Sequence, residues 1–132
     1  MNIILITHSA IRWLIVAVAV IAAVRFSLGW LRGMEFGAMD RGFLAGLSGL
    51  MDLQVLVGFI YFVWNGVGSG GFPPYRFEHL LLMLVAALVA HLPARWKNID
   101  GRTRFRRTFL AVLGVLALVF VGVSRLPGGW AR

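Results

Sequence analysis

Three histidines, His8, His79 and His91, are the side chains of this chain best suited to hold a metal or a cofactor. Imidazole is the commonest metal ligand among side chains and also donates and accepts protons near neutral pH. The chain has no cysteine, which excludes thiolate metal sites, iron–sulfur clusters and thiol catalysis. Any bound metal or cofactor must therefore be held by imidazole, carboxylate or methionine side chains.

The composition defines the elements that must position these histidines. Hydrophobic residues make up 60% of the chain and charged residues 14%, whereas soluble domains are about 45–50% apolar and about 25% charged. A soluble domain of about 150 residues buries only about 70% of its surface and could not hide so much apolar material. The high hydrophobicity also excludes disorder, and the absence of cysteine excludes a disulfide scaffold. The sequence predicts a small integral membrane protein.

Four apolar segments approach the roughly 20 residues that a membrane-spanning helix needs. They predict helices at about 3–24, 43–64, 75–93 and 108–126, in a single domain covering 1–132. We expect an all-α membrane protein, an up-down-up-down bundle of four transmembrane helices. The first segment is interpreted as a retained helix rather than a signal peptide, because no cation precedes it and Arg12 interrupts it.

The basic residues divide unevenly between the two sides of this bundle. The loops after the first and third segments carry Arg25, Arg32, Arg41, Arg95, Lys97, Arg102, Arg104, Arg106 and Arg107. The other side has Arg76, Arg125 and Arg132. The positive-inside rule then predicts basic loops in the cytoplasm and both termini on the outer, periplasmic side of a bacterial inner membrane. Next to membrane spans, the Arg-rich loop is expected to contact anionic membrane lipids rather than nucleic acid.

Several polar side chains fall inside the predicted spans, where a charge is costly unless it is paired or functional. A rise of 1.5 Å per residue places Arg12 roughly 14 Å and Asp52 roughly 18 Å below the outer end. The two side chains are therefore predicted to form a buried ion pair that neutralises both charges. A proton-relay or substrate role for Asp52 is the alternative.

His8 and His79 lie at similar predicted depths near the outer face, roughly 8 Å and 3–6 Å below their helix starts. Two imidazoles that face each other inside a helix bundle can hold a cofactor, and haem iron takes imidazole ligands. The helix face that carries His79 continues with the small or flexible residues Met83, Ala86 and Ala90. The face that carries His8 continues with Ile15 and Ala19. The alternative is that these histidines only form hydrogen bonds and that the small residues serve ordinary helix packing.

The stretch Arg76-Phe77-Glu78-His79 is dense in ionisable groups. Arg76 could contact a haem propionate and Glu78 could orient a histidine ligand. Alternatively, Glu78 favours the positive end of the helix and Arg76 lies among lipid headgroups. His91 lies roughly 18 Å deeper than His79 and has no second histidine at its level. Helix-end polarity, a lipid or quinone headgroup contact and single ligation remain its alternatives.

These motifs resemble a family of small bacterial four-helix membrane proteins that are labelled cytochrome b-like. The resemblance rests on four short motifs: His8-Ser9-x-x-Arg12-Trp13, Asp52-Leu53-Gln54 with Gly58, Arg76-x-Glu78-His79 with Met83, and His91. The architecture is similar to the copper-resistance D family and to quinone-linked b-type cytochromes. The resemblance implies haem b held by His8 and His79, with electron exchange to quinone. Members often have His where Asp52 stands here, which weighs against a second haem.

We therefore expect an electron-transfer protein with one haem near the outer face, its electrostatics tuned by Arg12 and Arg76. Its electrons would pass to or from quinone or a partner membrane complex. The alternative is a cofactor-free accessory or assembly subunit of a larger respiratory or photosynthetic complex. A metal-ion permease has thin support, because only Arg12, Asp52 and Gln54 populate the predicted midplane.

Overall fold

The computed structural model describes residues 3–131, except for the side chains of Ser69 and Ala131. The four long helices are α1 (Ile3–Arg32), α2 (Ala38–Asn65), α3 (Pro74–His91) and α4 (Gly101–Ser124). A π-helical turn (Gly66–Gly70) continues α2, and 3-10 turns follow α3 (Leu92–Arg95) and α4 (Gly129–Ala131). The first two residues of the predicted domain 1–132, and Arg132 from the predicted outer cations, lie outside this description.

All four helices are long and apolar enough to cross a membrane. The prediction of an all-α chain with four such helices is confirmed, and residues 3–131 contain no strand. The most apolar 18-residue stretch of α4 is 39% buried and that of α2 only 17%. The outer surface of α2 is therefore the most available for contact with lipid or a ligand.

Neighbouring helices run antiparallel. The ring of His8, early in α1, lies against Gly58, near the end of α2. The same ring meets His79 at the start of α3, and His79 in turn contacts Gly122 near the end of α4. The starts of α1 and α3 thus lie level with the ends of α2 and α4, which is the alternation of an up-down-up-down bundle.

The core is built from alanine, branched aliphatic, methionine and phenylalanine side chains on the inner face of each helix. The predicted stripes beside the histidines are buried, as Ile15, Ala19, Met83, Ala86 and Ala90 show. Small residues let membrane helices approach closely, so that van der Waals packing holds them together. The large apolar side chains that remain exposed point outward, where a soluble protein would carry polar residues.

Two helices extend well beyond their apolar segments, because polar contacts stabilise the extra turns. α1 continues to Arg32 rather than ending near 24, and Arg25 Nε donates to Asp40 Oδ1 at 2.8 Å. Asp40 is fully buried and also accepts a hydrogen bond from the Gly37 amide, which ties the end of α1 to the start of α2. α4 begins at Gly101 rather than near 108, because Asp100 caps it by accepting from the Thr103 amide at 3.0 Å.

Candidate functional site

The structure brings His8 and His79 together inside the bundle. Their ring centres are 6.3 Å apart and the ring planes are inclined by 78°. Two imidazoles on opposite sides of one metal ion, each bonded at about 2 Å, would have ring centres about 6 Å apart. The distance between the ring centres therefore matches that of two imidazoles on one metal, which must also turn one nitrogen of each ring towards it.

A backbone carbonyl fixes the tautomer of His79. Its Nδ1 lies 3.0 Å from the Gly122 oxygen. Since a carbonyl oxygen can only accept, Nδ1 carries the proton, and Nε2 of the neutral ring carries the lone pair. Histidine ligands of metals usually donate their other N–H in this way, which sets the ring orientation and raises its basicity.

Glycines leave room beside the pair, Gly58 for the His8 ring and Gly122 for the Met83 side chain. A Cβ on Gly58 would lie 2.8 Å from His8 Cε1, closer than side-chain contacts allow. A Cβ on Gly122 would lie 2.5 Å from the Met83 methyl carbon and 3.6 Å from His79 Nδ1. Both helices that face the histidines thus present bare backbone at the level of the rings.

Polar side chains surround the pair on the inner side. The Gln54 amide donates to the His8 carbonyl oxygen at 2.8 Å. Its own carbonyl oxygen, Oε1, is buried with no hydrogen-bond partner among the described residues. Arg12, only 7% exposed, places its guanidinium carbon 5.3 Å from the Trp13 ring centre and 5.4 Å from that of Trp130. Such cation–π contacts hold a cation where water is scarce.

Arg76 extends from α3 to the end of α2. One terminal nitrogen of its guanidinium donates to the Asn65 side-chain oxygen, and the guanidinium carbon lies 5.7 Å from the Tyr61 ring centre. The other terminal nitrogen, Nη1, is buried without a hydrogen-bond partner in the part of the chain described. A buried donor of this kind carries a desolvation cost that an anionic ligand group would offset.

These side chains line one cavity of about 100 Å³ between the four helices. His8, Arg12, Gln54, Arg76 and His79 all contribute to its wall. Pockets for small molecules are commonly about 300–1,000 Å³. The imidazole and guanidinium groups are of the kind that a haem site uses, whereas the cavity is smaller than small-molecule pockets usually are.

The predicted ion pair between Arg12 and Asp52 does not form. The Asp52 oxygens lie 2.9 and 3.0 Å from His91 Nε2, on a face of the bundle where the Asp52 side chain is 57% exposed. At 100° per residue, positions 52 and 54 of a helix point in opposite directions, so Gln54 faces the cavity and Asp52 faces outward. Glu78 likewise lies away from His79, 3.4 Å from Arg125 at an exposed position.

Sequence reasoning did not assign three parts of this site: the contact of Gln54 with His8, the clearance at Gly122 and the aromatic ring of Tyr61. A signal for α2 was present, since Gln54, Gly58 and Tyr61 recur at the i, i+4 and i+7 spacing of one helix face. Estimated depth also placed His91 within reach of Asp52, but it did not distinguish His91 from Arg12 as the partner.

Family models, curated proteins and solved structures give no match to this chain. The class that the fold and the site define is a four-helix bundle of membrane-spanning type with an internal imidazole pair.

Proposed function

We propose that this chain is a b-type cytochrome-like electron-transfer protein of the bacterial inner membrane. One haem b, ligated by His8 and His79 near the outer face, exchanges electrons with quinone or with a partner membrane complex. The observation that carries the proposal is the imidazole pair, with ring centres 6.3 Å apart and the His79 ring oriented by the Gly122 carbonyl.

The number of ligands favours haem over a bare metal ion. Within residues 3–131 no group of three or more His, Cys, Asp or Glu side chains could hold a metal. Catalytic zinc takes three protein ligands and structural zinc takes four. A haem supplies its own nitrogen ligands to iron, so that two axial imidazoles complete the site.

The surrounding residues have defined tasks in this proposal. Gln54 anchors the backbone of His8 through its amide, and the Gly122 carbonyl orients His79. The buried terminal nitrogen of Arg76 suits a propionate carboxylate, because a paired charge inside the protein costs far less than an isolated one. Arg12 adds positive charge close to the pair and favours the form of the site that holds an additional electron. The bound haem supplies the one-electron chemistry itself.

The test is a reduced-minus-oxidised visible spectrum of the protein purified from its native membrane in mild detergent. We expect a sharp b-type α-band and about one haem per chain. His8→Ala and His79→Ala should each abolish haem retention, since each removes one of two axial ligands. His91→Ala is the matched control, because this remaining histidine lies outside the cavity, and it should retain haem.

Two results would contradict the proposal: a flat spectrum from folded wild-type protein, or full haem retention after loss of either cavity histidine. The first would favour the cofactor-free accessory subunit, in which the histidines serve as hydrogen-bonding core residues. That alternative predicts comigration with larger subunits on native gels.

A further inference from the structure

A second pair of ionisable side chains lies on the outer surface of the bundle, between α2 and α3. His91 Nε2 lies 2.9 Å from Asp52 Oδ1, and the side chains are 49% and 57% exposed. Measured along the helices, Asp52 is about 9 Å from Gly58 and His91 about 18 Å from His79. The pair therefore lies well below the level of the cavity histidines, within the stretch of α2 that is apolar enough to span a membrane.

An outward-facing carboxylate–imidazole pair is unusual at such a position. Ionisable residues within membrane spans almost always face the bundle interior or a water-filled cavity, because hydrocarbon cannot solvate them. Here the two side chains solvate each other only in part. A polar group from outside the chain would complete their hydrogen bonding and offset the cost of their exposure.

The surroundings of the pair indicate the shape of that outside molecule. Asp52 and His91 open onto a groove of about 410 Å³ whose other walls are Val55, Leu84, Ala87 and Leu88. It is an open groove on the surface of the bundle rather than an enclosed cavity. The groove suits a molecule with an apolar body and one polar edge.

The hydrogen-bond chemistry of the pair indicates which polar edge it takes. When His91 Nε2–H donates to the Asp52 carboxylate, the other ring nitrogen of a neutral imidazole, Nδ1, is an acceptor. An acceptor at that place fits a hydroxyl group. Val55 lines both this groove and the cavity of the histidine pair, so the two spaces share one residue of α2.

We propose that the Asp52–His91 groove binds the head group of a lipid-soluble quinol, whose ring hydroxyl donates to His91 Nδ1. This inference rests on the proposed electron-transfer function for its choice of a redox-active ligand. The apolar walls hold the ring, and Asp52 keeps the imidazole in the tautomer that accepts. The other occupant that this face would accept is a partner's transmembrane helix that donates to His91 from a hydroxyl or amide side chain.

The test is direct binding of decylubiquinol to the full chain in lipid nanodiscs, measured by titration under reducing conditions. We expect saturable binding that weakens at least tenfold in His91→Gln and in Asp52→Asn. Leu88→Trp should also abolish binding, because Leu88 is 69% exposed and a larger ring there fills the groove without disturbing the core. Glu78→Gln is the matched control, since it neutralises an exposed carboxylate that pairs with Arg125 and lies off the groove.

The outcome is separable from that of the haem experiment. His79→Ala protein, which should lack haem, is expected to bind the quinol as the wild type does. Equal binding by the wild type, His91→Gln and Leu88→Trp would overturn the quinol site. Failure of the wild type to bind would overturn it too, as would a photo-crosslink from this face to a partner helix, and neither result would bear on haem ligation by His8 and His79.

Discussion

At the scale of single residues, the site depends as much on missing side chains as on the histidines themselves. The His8 ring occupies space that is open only because position 58 has no Cβ. Glycine in a helix interior costs about 0.5–1 kcal/mol relative to alanine. That cost falls at the position where Cε1 of the His8 ring approaches the backbone of α2.

Gly58→Ala should therefore displace the His8 ring and weaken haem binding. The added methyl would meet His8 Cε1 at 2.8 Å, and overpacking of this kind costs about 1 kcal/mol or more. That corresponds to a loss of about fivefold in haem affinity, measured by haem titration of the purified variant. Gly49→Ala on the same helix is the control, because nothing lies within 4 Å of its added Cβ. An equal loss of haem affinity in both variants would show a general effect on α2 rather than a steric clash with His8.

The contrast between the two histidine contacts shows how far a sequence determines a site. His8 and His79 could be placed at one level because each lies close to a recognisable helix start. The partner of Asp52 could not be assigned from depth alone, since Arg12 and His91 both lay within reach of the estimate. The partner of Asp52 depends on which face of α2 turns inward. The burial of Met51 and Gln54 in the core sets that rotation.

At the scale of helices, apolar runs predict the spans but not their ends. The sequence pattern marks where hydrocarbon is tolerated, whereas each helix ends where its last backbone groups find partners. For α1 the added length depends on Arg25 and Asp40, residues distant in sequence, whose contact forms only after α2 has packed. For α4 the signal was local, an Asp three residues before Thr103, and a capping rule applied to Asp100 would have found it.

The cap at Asp100 makes the start of α4 sensitive to acid. The hydrogen bond from the Thr103 amide lowers the pKa of the Asp100 carboxyl below its usual range. A lowered pKa in the folded state means that the carboxylate stabilises the fold above the unfolded-state pKa, about 3.9. That contribution is lost as the pH falls through the folded-state pKa.

We therefore expect the thermal unfolding temperature of the wild type in detergent to fall more steeply between pH 5 and pH 3 (about the range of carboxyl titration) than that of Asp100→Asn. Asparagine caps a helix nearly as well without titrating. Asp100→Ala should unfold at a lower temperature than both at pH 7. A pH profile shared by the wild type and Asp100→Asn would show that other carboxyl groups govern acid sensitivity.

At the scale of the whole molecule, the charge asymmetry gives the bundle a direction. The ends of α1 and α3 and the starts of α2 and α4 carry most of the cations, and the histidine pair lies near the opposite end. If the basic end faces the cytoplasm, as the positive-inside rule predicts, the proposed haem lies near the outer face and the Asp52–His91 groove lies toward the inner leaflet. The proposed haem and a quinol bound in the Asp52–His91 groove would then lie on opposite faces of α2.

The absence of cysteine allows a clean test of this orientation, because a single substitution introduces the chain's only thiol. Val67→Cys lies on the connection between α2 and α3, where Val67 is 75% exposed, and Asn98→Cys lies in the basic loop between α3 and α4. A membrane-impermeant maleimide added to intact spheroplasts should label the thiol at position 67 at once and the thiol at position 98 only after the membrane is opened. The reverse pattern would place both termini in the cytoplasm. It would also move the histidine pair to the inner face of the membrane.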